Sequence, residues 1–209
     1  TGLLDPFFEL PLVPMVETTR GCPFTCTFCA DGIAIKSRIK RYDSARTREE
    51  LYYIADRVNK SDEIIITDLN FGMYAEDATT CRYIAEIQEK YQWPVLVKGS
   101  AGKNRTERVI EAATILKGTW MIGAAIQSAD PDVLKAIKRS NISSETFEKF
   151  IEFGNSLSKD ALTYTEIILG MPGDTKEKHF DSLRFGIKNG VNSLRMYQCM
   201  LLVGTVVGG

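Results

Sequence analysis

Cys22, Cys26 and Cys29 stand close together inside the run Glu17-Thr-Thr-Arg-Gly-Cys-Pro-Phe-Thr-Cys-Thr-Phe-Cys29. Three thiolates on one short loop can hold a soft metal centre, because cysteine sulfur suits iron–sulfur clusters and zinc. Three is one ligand fewer than a cubane cluster or a closed structural zinc site normally takes, and an open metal position marks chemistry rather than scaffolding. Other readings must be weighed beside this one. Cysteine is often a small buried hydrophobe, but three on one Gly- and Pro-bearing loop are poorly explained as core filling. Disulfides are disfavoured by the odd total of five cysteines and by an N-terminus unlike a signal peptide. Zinc would need a fourth ligand, and the single histidine, His179, lies far along the chain. Cys81 and Cys199 stand alone, the former in a helical pattern that reads as packing.

The spacing Cys22-x3-Cys26-x2-Cys29, following an Arg-Gly turn and with Phe28 before the third cysteine, resembles the signature of the radical S-adenosylmethionine (SAM) superfamily. The resemblance implies a 4Fe–4S cluster whose open iron is chelated by the amino and carboxylate groups of SAM. One electron then cleaves SAM to methionine and a 5′-deoxyadenosyl radical, which takes hydrogen from a substrate. Phe28 matches the position whose backbone contacts the adenine. A hydrophobic plug over the cluster is the plainer reading of the same ring.

These residues need elements to hold them. Apolar runs bounded by turn signals alternate with amphipathic stretches along most of the chain, the pattern of parallel β/α units. Strands are expected at residues 13–18, 63–67, 94–98, 120–127, 162–169 and 193–198. Helices are expected at 47–59, 77–91, 107–117, 132–138, 143–157 and 175–188. Residues 63–67 form a continuous β-branched run, as in a strand covered on both faces. Ser44 or Thr47 is the expected cap of the first helix, and Pro131 suits a helix start. Six repeats are fewer than the eight of a complete TIM barrel, so the expected fold is α/β, a partial (β/α)6 TIM-type barrel with parallel strands. Members of the resembled superfamily share that architecture. Sites in such barrels sit at the C-terminal ends of strands.

The strand ends supply the remaining candidates. After the second strand comes Asp68-Leu-Asn-Phe-Gly-Met73, in the place of a family segment that holds the SAM amino group. The resemblance favours the Asn70 backbone and Gly72 there, against the alternative of a simple Asx-capped turn. Lys98, ending the third strand, reads equally as a counter-charge for a carboxylate or as a solvated rim residue. The stretch Gly123-Ala-Ala-Ile-Gln127-Ser128 with Arg139 resembles one shared by oxygen-independent coproporphyrinogen oxidases, methylthiotransferases and cobalamin-binding radical SAM proteins. It implies that Gln127 and Ser128 line the SAM ribose and methionine, and that Arg139 pairs with the SAM carboxylate. A guanidinium fork matches a carboxylate, although a surface ion pair is the ordinary alternative. Glu166 matches an acidic residue that bonds ribose hydroxyls, and an acid inside an apolar strand is otherwise costly. Thr175 is the expected cap of the helix that follows. Met196 and Tyr197 occupy the place of apolar residues lying against adenine.

Composition sets the outer bounds. The 209 residues allow one well-cored domain, with 26 basic against 27 acidic residues and no commitment to nucleic acid. No apolar run approaches membrane-spanning length. Reduced thiols and the absence of an export signal suggest the cytoplasm. The chain opens Thr1-Gly2 and closes Gly208-Gly209, and reads as one radical SAM core over residues 1–209, with its cluster loop at 19–33, excised from a longer protein. The expected function is reductive cleavage of SAM and radical chemistry on an unknown substrate, with a flavodoxin or ferredoxin as reductase. The sequence leans towards the cobalamin-associated branch, so cobalamin is a candidate cofactor of the longer protein, for methyl transfer or rearrangement. The competing classes are an iron–sulfur electron-transfer module, requiring a fourth cysteine such as Cys81 or Cys199, and a zinc-stabilised binding module.

Overall fold

A computed structural model describes residues 2–157 and 162–209. In chain order the strands are β1 (Met15–Val16), β2 (Thr19–Arg20), β3 (Lys40–Arg41), β4 (Glu63–Phe71), β5 (Leu96–Ala101), β6 (Ile122–Gly123), β7 (Thr163–Leu169) and β8 (Ser193–Gln198). The helices are α1 (Ser44–Ala55), α2 (Asp77–Tyr91), α3 (Thr106–Ile115), α4 (Pro131–Ala136), α5 (Ser144–Ser156) and α6 (Lys176–Lys188). β1, β4 and β5 form one parallel sheet; β6, β7 and β8 form another. The fold class is the expected α/β with parallel strands.

The described chain falls into two compact units. The first holds residues up to Arg20 and from Arg41 to Ile122. Its core is built where β4, the β-branched run, meets α1, α2 and α3: Leu51, Ile64, Ile66, Ile84, Val109 and Trp120 are all buried. Helix α1 starts three residues earlier than the apolar periodicity predicts. Asp43, not Ser44 or Thr47, is its cap, because the Asp43 carboxylate accepts from the backbone N–H groups of Ala45 and Arg46 at 2.9 and 3.2 Å. Strand β4 runs four residues past its expected end, and its pairing with β5 shifts between Ile66 and Phe71. That irregularity lifts residues 67–70 out of the ladder.

The second unit holds residues 21–40, 123–156 and 162–209. Its core gathers Val133, Ile137, Phe147, Ile151 and Ile167 from α4, α5 and β7 and from the residue just after α4. Asp130 caps α4 ahead of Pro131, and Thr175 caps α6 as expected, accepting from the Lys178 N–H at 3.3 Å. The strand expected over 120–127 shrinks to β6 with isolated bridges Val97–Trp120 and Gln127–Ile167. Gln127, with a left-handed φ of 62°, closes the stretch where an extended run cannot continue. β8 is an edge strand with mostly exposed or half-buried residues.

Candidate functional site

The cysteine loop is held by backbone hydrogen bonds within the second unit. Cys22 N–H donates to the Lys36 carbonyl at 3.0 Å, Thr27 N–H to Ile137 at 3.1 Å, and Val207 N–H to Thr27 at 3.1 Å. Between Cys26 and Gly32 the loop winds through two successive turns, Cys29 N–H to Cys26 carbonyl and Gly32 N–H to Cys29 carbonyl. A Cβ on Gly32 would collide with the Cys26 carbonyl oxygen, so only glycine lets the chain fold back this closely. Cys22 and Cys26 are buried, Cys29 is half-buried, and none of the five cysteines is in a disulfide. The Asp31 N–H lies 3.4 Å from the Cys29 sulfur, the kind of polar contact that steadies a thiolate ligand.

Phe28 turns its ring into an apolar cluster of Val133, Ile137 and Met171, with Leu134, Ile168 and Cys199 alongside. The ring therefore anchors the loop to α4 and to the segment after β7. Its backbone is left for any role towards a ligand.

Arg139 follows α4 and reaches back to the loop. One of its Nη atoms lies 4.0 Å from the Cys26 sulfur. The other donates to the Ala125 carbonyl, and Nε donates to Asn141 Oδ1 at 3.0 Å. Burial pushes the guanidinium below its ordinary value, while Cys26 and Glu166 pull the other way. An arginine stays charged under such a push. The guanidinium is thus a fixed cation beside the sulfurs and not a surface ion-pair partner.

Gln127 is 7% exposed and its backbone is fully paired: N–H to the Glu166 carbonyl at 2.7 Å, and carbonyl to the Ile168 N–H at 2.9 Å. Its side-chain Oε1 is buried without a hydrogen-bond partner. A buried, unsatisfied amide oxygen on a residue in a sparsely populated conformation is costly, and such combinations cluster at ligand sites. Ser128 behaves differently. Its hydroxyl accepts from Asp130 N–H at 3.1 Å and lies 3.4 Å from the Ser182 hydroxyl, so it shapes the turn into α4.

Glu166, on β7, faces Arg195 of β8 across the parallel register, with its carboxylate 3.7 Å from the guanidinium. Arg195 in turn stacks 3.7 Å from the centre of the Tyr164 ring, whose hydroxyl is pushed up to about 12 by burial and by the Glu166 charge. Met196 and Tyr197, on β8, are largely exposed.

The remaining candidates belong to the first unit. The Asp68 carboxylate accepts from the Thr18 N–H at 2.7 Å and from its hydroxyl at 2.5 Å, which binds the end of β4 to the chain just after β1. Asp68 is thereby committed to the fold. Asn70 is buried, and its carbonyl accepts from Met73 N–H at 3.2 Å. Gly72 has a φ of 81°, and a Cβ there would press on Trp120 at 3.0 Å and on the Val109 backbone at 3.3 Å. Both facts demand glycine. Lys98 is partly exposed and pairs its ammonium with Glu63 at 2.6 Å.

Sequence reasoning missed Asn141. Its Nδ2 donates to the Ile126 and Ser128 carbonyls at 2.9 and 3.0 Å, while its Oδ1 receives Arg139. Nothing in the composition or spacing of Arg139-Ser-Asn141 announces that role.

The donor set fits a cluster of the kind the loop suggests. Three sulfurs share one loop, a fixed cation stands beside one of them, and an unsatisfied oxygen waits nearby in the sequence of the same unit. Among the described residues, no three of His, Cys, Asp and Glu gather as they would around a single metal ion.

Parallel α/β units with a three-cysteine loop define a class of iron–sulfur enzyme, and the comparisons with known proteins say which. Residues 16–186 match the Radical SAM superfamily, and the chain belongs to it. It is 31% identical over 201 residues to 2-(S-pantetheinyl)-carbapenam-3-carboxylate methyltransferase of Streptantibioticus cattleyicolor, covering 93% of this chain and 28% of that protein. It is also 31% identical over 193 residues to the cobalamin-dependent radical SAM methyltransferase TokK of Streptomyces tokunonensis, covering 89% and 27%. The fold resembles radical SAM methyltransferase TsrM of Kitasatospora setae, solved with tryptophan substrate and a SAM analogue. The TM-score is 0.80 at 16% identity, over 97% of this chain and 39% of that one. This likeness shows the fold, a TIM-type partial barrel. The chain spans little more than a quarter of the length of these two curated relatives. The family's cofactors are a 4Fe–4S cluster and SAM, its members are enzymes, and they act on a substrate with the help of a reductant. No helix among the described residues is long and apolar enough to cross a membrane.

Proposed function

We propose that this chain is the radical SAM core of a cobalamin-dependent methyltransferase, one domain over residues 1–209 with its cluster loop at 19–33. The juxtaposition of the Cys26 sulfur and the Arg139 guanidinium, 4.0 Å apart, carries the reading. A fixed guanidinium beside a cluster sulfur is placed to pair with a carboxylate bound at the open iron, and its planar fork matches carboxylate geometry.

Cys22, Cys26 and Cys29 would hold the cluster. When bound, it supplies the electron that splits SAM into methionine and a 5′-deoxyadenosyl radical. The protein binds and orients. Arg139 neutralises the SAM carboxylate, Gln127 lines the ribose and methionine with its buried amide oxygen, and Glu166 accepts from ribose hydroxyls. The Phe28 backbone contacts adenine, with Met196 and Tyr197 closing over it. The Asn70 backbone and Gly72 receive the SAM amino group. Ser128 contributes through the shape of its turn. Methyl transfer is favoured over rearrangement because the two relatives at 31% identity are both named as methyltransferases. Cobalamin would then be held by parts of the longer protein, with a flavodoxin or ferredoxin as electron donor in the reducing cytoplasm.

Anaerobic reconstitution, reduction and assay of the nucleoside products test this reading. Formation of 5′-deoxyadenosine or S-adenosylhomocysteine from SAM is expected. An intact, reduced cluster that leaves SAM unchanged would contradict it.

A further inference from the structure

Arg139 and Gln127 lie twelve positions apart, yet one side chain governs both. Asn141 Oδ1 accepts from Arg139 Nε at 3.0 Å. Its Nδ2 donates to the carbonyls of Ile126 and Ser128, at 2.9 and 3.0 Å, which flank Gln127 on either side. Three bonds from one amide therefore set the direction of the guanidinium and the course of the backbone through a left-handed residue. An amide is the one side-chain group of this size that accepts on one side and donates twice on the other.

From this we infer that Asn141 is a positioning residue for SAM: it aims the Arg139 guanidinium towards Cys26 and holds Gln127 in its strained turn with Oε1 presented. The inference rests on the functional reading above. Without Asn141, the Arg139 Nε loses its acceptor, and the guanidinium keeps only the Ala125 carbonyl and the longer Cys26 contact to set its direction. The carbonyls of Ile126 and Ser128 lose their donor, and the 126–128 turn relaxes. A ligand bound by both groups would then have to order them at its own expense.

Titration of SAM into the anaerobically reconstituted protein tests this, with electron paramagnetic resonance of the reduced cluster as a second readout. Asn141→Ala is expected to weaken SAM binding about 10- to 100-fold, the usual range for groups that orient ligands, with iron content unchanged. The SAM-induced change in the cluster signal should need correspondingly more SAM. Asn141→Asp keeps the size and the acceptor facing Arg139 but removes the donor, and it should show a loss in the same direction. It decides the matter if the alanine variant does not fold. In an Arg139→Ala background the part of the Asn141→Ala effect that acts through the guanidinium should vanish, leaving the part that acts through the Gln127 turn. Equal SAM affinity in parent and Asn141 variants would overturn the inference and leave the functional reading standing. A parent protein that binds no SAM would overturn both.

Discussion

The chemistry of the site turns on individual side chains whose neighbours differ. Cys26 sits beside a fixed cation, whereas Cys199 packs near Phe28 and Met171, with burial pushing its thiol up. Loss of Cys26 in Cys26→Ala should therefore remove the cluster, while Cys199→Ala should retain full iron and sulfide. Cluster loss in the Cys199 variant would revive a fourth-cysteine, electron-transfer reading. Arg139→Ala should keep the cluster and weaken SAM binding at least about tenfold, the scale of one charge-assisted hydrogen bond. Unchanged affinity would remove Arg139 from the site. At this scale the sequence was partly legible. The cysteine spacing could be read because it matches the family, and Arg139 and Gln127 were singled out because each carries a residue type suited to a ligand group. Asn141 could not, because its role depends on three-dimensional closure between carbonyls and a guanidinium that no local pattern encodes.

Among the elements, β4 carries the clearest physical test. Its buried Asp68 carboxylate is pushed above its ordinary value of 3.8 by burial, with the Thr18 bonds opposing. The folded state thus binds the proton more tightly than the unfolded state. The contribution is fully present below the ordinary value and is lost as pH rises through the raised one. Asp68→Asn keeps an acceptor for the Thr18 N–H and has no charge to desolvate. Urea midpoints of the variant relative to the parent should climb as pH rises from about 3.8 through the raised value, then level off; parallel curves would refute the assignment. The strands and helices themselves were legible where apolar periodicity and length agreed, as in α2 and β8, whose bounds match expectation. The stretch 120–127 is extended only at β6 and two isolated bridges, and the left-handed Gln127 that closes it is invisible to hydrophobicity. The α1 cap was missed because Asp43 lies just ahead of the predicted candidates.

At the scale of the whole molecule, this chain holds the cluster loop and the SAM candidates but spans little more than a quarter of the two methyltransferases at 31% identity. Several apolar side chains after β8, including Met200, Leu201 and Val203, are exposed here. The isolated chain should accordingly consume SAM slowly and without coupling, releasing 5′-deoxyadenosine with no methylated product. Product analysis by mass spectrometry checks this, and efficient methylation by the isolated chain would show that the core alone selects its substrate.

The most direct test of the central claim is Mössbauer spectroscopy of protein reconstituted with ⁵⁷Fe, recorded before and after addition of SAM. Three sulfur ligands predict that one iron of the four changes its isomer shift when SAM binds, while the other three do not. Four irons that remain indistinguishable and unmoved by saturating SAM would contradict the account.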